Sequence, residues 1–163
     1  MTEADPTPFS RRTETVRTAL AAAGHPDTVR FVPGGAATAA EAAAALGCEV
    51  GAIANSLVFL VDGAPLLVLS SGRHRVDTAG LAGRLGYGRI ARAKPDDVAA
   101  ATGQVIGGVS PVGHPAPLVT VIDESLRQYP DLYAAAGTHD TIFRTDFDAL
   151  VALTGAGIVR TSE

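Results

Sequence analysis

SLVFLVDGAPLLVLS, residues 56–70, holds two apolar runs, Ser56–Val61 and Pro65–Ser70, on either side of Asp62-Gly63-Ala64. Both runs are strand-sized, and Asp-Gly supplies the backbone of a tight hairpin turn. Upstream, Ser10–Ala23 reads as a helix closed by Gly24, and Thr28–Val32 as a short strand. Thr38-x-x-Glu41 is a capping box that opens an Ala-rich helix stopping at Gly47. Downstream, Asp77 caps a helix that ends near Gly86. Lys94-Pro95-Asp96-Asp97 starts another, with acids at its positive end, that runs to Gly103. Gln104–Ile106, Leu118–Ile122, Leu132–Ala136 and Thr141–Arg144 read as strands. Thr145-x-x-Asp148 caps a last helix to Thr154, and Gly157–Arg160 is a final strand. Helices interrupt the strands irregularly, so no doubly wound sheet is expected. The expected fold is α+β: a mixed β-sheet curled into a partial barrel with surrounding helices.

No repeat or composition break divides the 163 residues, so the expectation is one domain, with residues 1–9 loose. Hydrophobic residues make up 47% and charged residues 18%, which is enough apolar material for a core. The N-terminus lacks an apolar signal segment and the apolar runs are too short to span a bilayer. A cytoplasmic protein without a membrane partner is expected. One cysteine, Cys48, permits no internal disulfide and no cysteine-based metal site. Neither a metal nor a cofactor is expected. The net charge of −4 argues against a general nucleic-acid coat. Residues 73–94 depart from it, with Arg73, Arg75, Arg84, Arg89, Arg92 and Lys94 against Asp77. That segment is +5, leaving −4 − 5 = −9 for the rest. Such a strip is either a local phosphate-binding surface or an ordinary solvated face.

TGQVIGGVSPVG, residues 102–113, contains four glycines in twelve positions. Glycine is costly to fix, so a cluster beside strands marks a turn, a bulge or a ligand approaching the main chain. Gly108-Val109-Ser110-Pro111-Val112 fails as a nucleophile elbow, since valine occupies the second glycine position. A Ser110/His114/Asp123 triad can be written, but no spacing rule supports it. His25, His74, His114 and His139 lack metal spacing.

Several stretches together resemble the YbaK/EbsC family, free-standing aminoacyl-tRNA deacylases similar to the editing insertion of bacterial prolyl-tRNA synthetases. They are Thr102-Gly103, Gly107-Gly108-Val109-Ser110-Pro111-Val112-Gly113 and Val121-Ile122-Asp123. Ile53-Ala54-Asn55-Ser56-Leu57-Val58-Phe59 and Ala134-Ala135-Ala136-Gly137-Thr138 before Ile142-Phe143 support them. The resemblance covers about Thr38 to Arg160. It implies hydrolysis of an amino acid wrongly esterified to a tRNA 3′ end. It also implies that the N–H groups of Gly107, Gly108, Val109 and Ser110 face the ester carbonyl. Fixed donors stabilise the oxyanion of a tetrahedral intermediate, and glycine lets the main chain come close enough. A water assisted by the ribose 2′-hydroxyl is the family's implied attacker.

The chain departs from the family at Asn55, where a lysine is expected to hold the nucleotide end of the substrate. Three readings stay open: a basic contact moved to Arg73 or Arg75, a binding module without turnover, or a structural asparagine. The remaining site expectations are Ser56, Pro111, Gly137, Thr138 and His139 for substrate and Arg73, Arg75, Arg89 and Arg92 for tRNA. Partners are the aminoacylated tRNA 3′ end and an aminoacyl-tRNA synthetase; the sequence fixes no oligomeric state. The alternatives to a trans-editing deacylase of a small mischarged amino acid are a non-catalytic module of the same fold and a serine esterase using Ser110. Cys, Ala, Ser, Thr and Pro all remain candidate amino acids, since one methylene separates neighbours by only about 1–3 kcal/mol.

Overall fold

A computed structural model describes residues 8–163. The elements begin with α1 (Arg11–Ala22), β1 (Arg30–Phe31), α2 (Ala39–Leu46), β2 (Ile53–Val61) and β3 (Ala64–Ser71). Next come α3 (Thr78–Leu85), β4 (Ile90–Arg92), α4 (Pro95–Thr102) and β5 (Val119–Asp123). The chain closes with β6 (Leu132–Ala135), β7 (Thr141–Thr145), α5 (Phe147–Thr154) and β8 (Gly157–Val159).

The hairpin forms as its sequence demands. β2 and β3 pair antiparallel from Ala54↔Ser71 to Val61↔Ala64. Asp62 and Gly63 alone connect them, both at positive φ (51° and 83°), the geometry that favours Asp-Gly. The sheet then runs β1-β7-β6-β2-β3-β5-β8, mixing parallel and antiparallel pairs, and does not close into a barrel. Helices lie on both faces, which explains why β3 is apolar at successive positions. Leu67 and Leu69 pack with Val16 and Leu20 of α1, Val98 of α4, and Phe147 and Leu150 of α5. Leu66 and Val68 turn the other way, onto Leu81 and Ala82 of α3. Ala42 and Ala43 of α2 cover Ile53.

Helix ends follow the capping residues. Ser10, Thr38 and Asp77 accept from the N–H groups of Thr13, Glu41 and Gly80 at 3.1–3.2 Å. The last helix begins one residue later than expected: Asp146, not Thr145, caps α5 by accepting from Ala149 N–H at 2.8 Å. Thr145 instead ends β7, with its hydroxyl 3.0 Å from His25 Nε2. Gln104–Ile106 is not a strand. The chain turns there, closed by Gly108 N–H on Val105 C=O at 2.9 Å. The short β4 is a strand the sequence did not announce. Of the expected loose start, residues 1–7 lie outside the described region, while Phe9 stacks on Phe31 with ring centroids 4.8 Å apart. Among the described residues no helix is long and apolar enough to cross a membrane.

Candidate functional site

One edge of β2 is fully paired by β3; the other is shared between two short strands. β6 pairs in parallel with Ile53 and Ala54, and β4 pairs antiparallel with Phe59 to Val61. Residues 55–58 therefore have no strand partner on that edge. Main-chain groups left open at a sheet edge are a ready binding surface. Two cavities open at this gap. The first, about 260 Å3, lies beside α2 and the β6–β7 hairpin and is lined largely by alanines, Ile53, Tyr133 and Ile142. The second, about 530 Å3, lies towards α3 and β4. They share one wall, made of Ser56 and Leu57 from β2 and Ile106, Gly107 and Val109 from the glycine loop.

A buried glutamine that sequence reasoning passed over holds the loop in place. Gln104 is 2% exposed. Its Oε1 accepts from Ser110 N–H at 2.7 Å and its Nε2 donates to Val112 C=O at 3.3 Å. Its own N–H donates to Thr102 Oγ1, whose hydroxyl donates to Val98 C=O within α4. The loop is thus tied to the end of a helix. Gly108 N–H is engaged by Val105, and Ser110 N–H by Gln104. Gly107 and Val109 N–H have no partner among the described residues, and both residues line both cavities. The four expected donors therefore divide: 108 and 110 fix the loop, while 107 and 109 are free to receive an acceptor.

Gly108 has a separate reason to be glycine. A Cβ there would stand 2.7 Å from Thr138 Cα and 2.8 Å from Thr138 C, so the loop lies directly on the backbone of the β6–β7 turn. Thr138 donates to Asp140 Oδ1 at 2.8 Å and its hydroxyl lies 2.6 Å from Thr141 Oγ1. Thr141 Oγ1 in turn lies 3.1 Å from Thr13 Oγ1 of α1.

The other expected site residues separate. Asn55, Ser56, Thr138 and His139 line the first cavity. Asn55 is half-buried, and its side chain makes no hydrogen bond among the described residues. Ser56 Oγ is buried without a partner. Gly137 does not line either cavity: at φ 101° it packs on the backbone of Arg12 and Thr13 in α1. Pro111 is buried on the far side of the loop, beside α1 and α5. Ser110 is fully buried, and its Oγ accepts from Val112 N–H at 3.2 Å.

The written triad does not assemble. His114 Nε2–H donates to the Ser110 carbonyl at 2.7 Å rather than meeting its hydroxyl. Asp123 accepts from Ser71 and Ser125. Burial pushes the His114 imidazole below the ordinary histidine pKa, and its hydrogen bond to Ser110 opposes that shift only in part. Arg75 and Arg92 line the second cavity, whereas Arg73 leans towards Tyr129 and Arg89 lines neither cavity. Residues 73–94 are thus no single strip: α3 divides them, and Arg84 donates to the Arg160 carbonyl at 2.7 Å.

Gly107 and Val109, whose N–H groups are unengaged among the described residues, thus stand on the wall common to both cavities. The model of the family described as "Aminoacyl-tRNA editing domain" matches residues 34–153. A Proline--tRNA ligase of Geobacter sp. (strain M21) is 31% identical over 62% of this chain, which spans only 18% of that ligase. A protein of Enterococcus faecalis (strain ATCC 700802 / V583) named "Putative Cys-tRNA(Pro)/Cys-tRNA(Cys) deacylase EbsC" is 28% identical over 72% of each chain. A crystal structure named as "a putative trans-editing enzyme for prolyl tRNA synthetase" superposes with a TM-score of 0.89 at 40% identity. It covers 96% of this chain and 99% of that one. The matched span holds α2, β2, the glycine loop and the β6–β7 turn, which together line the first cavity. The chain belongs to the aminoacyl-tRNA editing domain family, in its YbaK/EbsC group.

Proposed function

We propose that the protein is a trans-editing deacylase that hydrolyses the ester of a small, uncharged amino acid on a tRNA 3′ end. The observation that carries this reading is the alternation along the loop. Gly108 and Ser110 N–H are engaged in holding it, and Gly107 and Val109 N–H are left open at the cavity. Gly107 sits at φ 90° in the tight turn closed by Gly108 N–H on Val105 C=O, and Val109 lies between the two engaged donors, so fixing Gly108 and Ser110 holds the other two residues in place at the cavity wall.

In the reaction, water attacks the ester carbonyl carbon and the carbonyl electron pair moves onto oxygen. The two open N–H groups stabilise that oxyanion. Collapse breaks the bond to the ribose oxygen, which leaves with a proton, giving free amino acid and a tRNA with its terminal hydroxyls restored. The ribose 2′-hydroxyl assists the attacking water, as the family likeness implies. No protein nucleophile is needed, and Ser110 is too buried to serve as one. The alanine-rich cavity of about 260 Å3 favours a small side chain without charge. Asn55, half-buried there and unpartnered, offers its amide to the substrate. Replacing a charged hydrogen bond by a neutral one weakens binding on the order of tenfold. The likeness to a Proline--tRNA ligase supports a synthetase as a further partner.

Asn55 also motivates a second reading, a module that binds aminoacyl-tRNA without turnover. Deacylation of Cys-, Ala-, Ser-, Thr- and Pro-charged tRNAs by the wild type and Asn55→Lys separates the two. Hydrolysis of one of them by the wild type, well above buffer, is the expected result. A wild type inert on all five, with activity gained in Asn55→Lys, means a competent scaffold in a protein that has left catalysis. Inactivity of both proteins overturns the deacylase reading.

A further inference from the structure

The second cavity carries charge that ester hydrolysis leaves unused. His74, Arg75 and Arg92 line it, and no carboxylate does. Both arginines are exposed, and neither joins an ion pair among the described residues, although the chain as a whole is −4. They reach the cavity from separate elements. Arg75 lies between β3 and α3, and Arg92 ends β4 opposite Phe59 of β2. On the wall common to both cavities Ser56 Oγ is buried and unpartnered. Guanidinium groups donate only, and the serine hydroxyl has its own donor free, so the set suits an anion with several acceptor oxygens. At about 530 Å3 the cavity falls in the range that holds small organic ligands, well beyond an inorganic ion.

We infer that this second cavity is a seat for a ribonucleotide phosphate, with Arg75 and Arg92 as its anchoring pair and Ser56 as its inner donor. Its identity as the nucleotide end of the editing substrate rests on the deacylase reading. The ester cradle and the seat share the Ile106-Gly107-Val109 wall. An aminoacyl group in the small cavity would place its ribose at that wall and its phosphate beside the arginines. The positive contact missing at Asn55 is thereby supplied from the opposite side of the gap in the sheet. The phosphate has two sources, a tRNA terminus or a free mononucleotide, and both present the same chemistry.

The test is equilibrium binding of AMP and adenosine to wild type, Arg75→Gln, Arg92→Gln and, as control, Arg30→Gln, an exposed edge-strand residue that lines neither cavity. AMP should bind at least tenfold tighter than adenosine. Each cavity variant should lose roughly tenfold for AMP and little for adenosine, and Arg30→Gln should match wild type. Arg75→Lys, which keeps the charge without the planar fork, should lie between wild type and Arg75→Gln. Equal affinity for AMP and adenosine overturns the seat, as does an equal loss in Arg30→Gln. Uncharged tRNA then identifies the source. If the seat holds a tRNA end, each cavity variant lowers the salt slope of tRNA binding by about one. If it holds a free nucleotide, AMP affinity falls and tRNA binding does not change. No turnover is required in any arm. A protein inert towards the aminoacyl-tRNA panel but selective for AMP through Arg75 and Arg92 loses the deacylase reading and keeps the seat. An active protein that ignores the phosphate does the reverse.

Discussion

Gly108→Ala tests the loop geometry most directly. The new Cβ would sit 2.7 Å from Thr138 Cα, 2.8 Å from its C and 3.0 Å from its N, all of them backbone atoms. Carbon–carbon contact is comfortable at about 3.5 Å, so loop and turn must separate by roughly 0.8 Å. No side chain can rotate to make this room, because the obstacle is main chain. Overpacking of this kind costs about 1–3 kcal/mol of stability. The larger effect is on chemistry. Gly107 and Val109 flank the displaced residue, and a donor moved by about 1 Å from its oxyanion loses on the order of a hundredfold in rate. Single-turnover deacylation of the preferred aminoacyl-tRNA should fall about a hundredfold in Gly108→Ala, with tRNA affinity nearly unchanged. Gly83→Ala is the control: nothing lies within 4 Å of its new Cβ, and the site is inside α3, where alanine stabilises by about 0.5–1 kcal/mol. Gly108→Ala with a single-turnover rate within threefold of wild type would refute the cradle, whatever its melting temperature.

Three further changes address the loop's supports. Gln104→Ala leaves Ser110 N–H buried and unpaired, so chemical denaturation should show a loss of about 1–3 kcal/mol, with deacylation reduced through a loosened loop. Ser110→Ala removes an acceptor from Val112 N–H and should cost about 1 kcal/mol or slightly more while leaving deacylation within a fewfold; complete loss would revive the esterase. Burial lowers the folded pKa of His114 below the unfolded value. The unfolded chain therefore binds more protons as pH falls through about 6.5. Stability is present above that value and declines below it, so urea unfolding at pH 7 and pH 5 should show a larger difference in wild type than in His114→Asn.

The parts of the fold legible in the sequence were those set by local chemistry. Asp62-Gly63 specified a two-residue turn, and that turn fixed the β2–β3 register for eight pairs. Ser10, Thr38 and Asp77 announced three helix starts through side chains able to reach an N–H. Thr145 and Asp146 were both capping residues, and the choice between them fell to burial, since β7 takes Thr145 inside and leaves Asp146 exposed. Gln104–Ile106 had strand composition, but the tertiary role of one amide prevailed over it: Gln104 turns inward to hold Ser110 and Val112. No spacing rule announces that. β4 is three residues long and exists only because the end of β2 offers it an open edge. At the candidate site, glycine enrichment singled out the loop but could not say which N–H groups its own hydrogen bonds leave unengaged. That division depends on two hydrogen bonds, Gly108 on Val105 three residues apart and Ser110 on the Gln104 side chain six apart.

The split edge of β2 and the glycine loop depend on one another. Four residues without a strand partner would be an exposed liability on an ordinary sheet, and here Ser56 and Leu57 among them share a cavity wall with the loop, which does not pair to them. Its own conformation is fixed elsewhere, by Gln104 below and by Thr138 beside Gly108. Had the loop paired with β2, Gly107 and Val109 N–H would be engaged in a ladder and no cradle would exist. Had it lacked the glutamine, Ser110 N–H would be buried without its partner and the loop would lose one of its supports. The gap thus keeps the two cavities joined along a single wall, so that a substrate with an apolar end and an anionic end could occupy both at once. The same connection makes Leu57 and Ile106, 38% and 60% exposed, apolar walls for whatever crosses between the cavities. Their exposure has no rationale in packing and a simple one in binding, because an apolar surface left open to water at a site is stabilised when a ligand covers it.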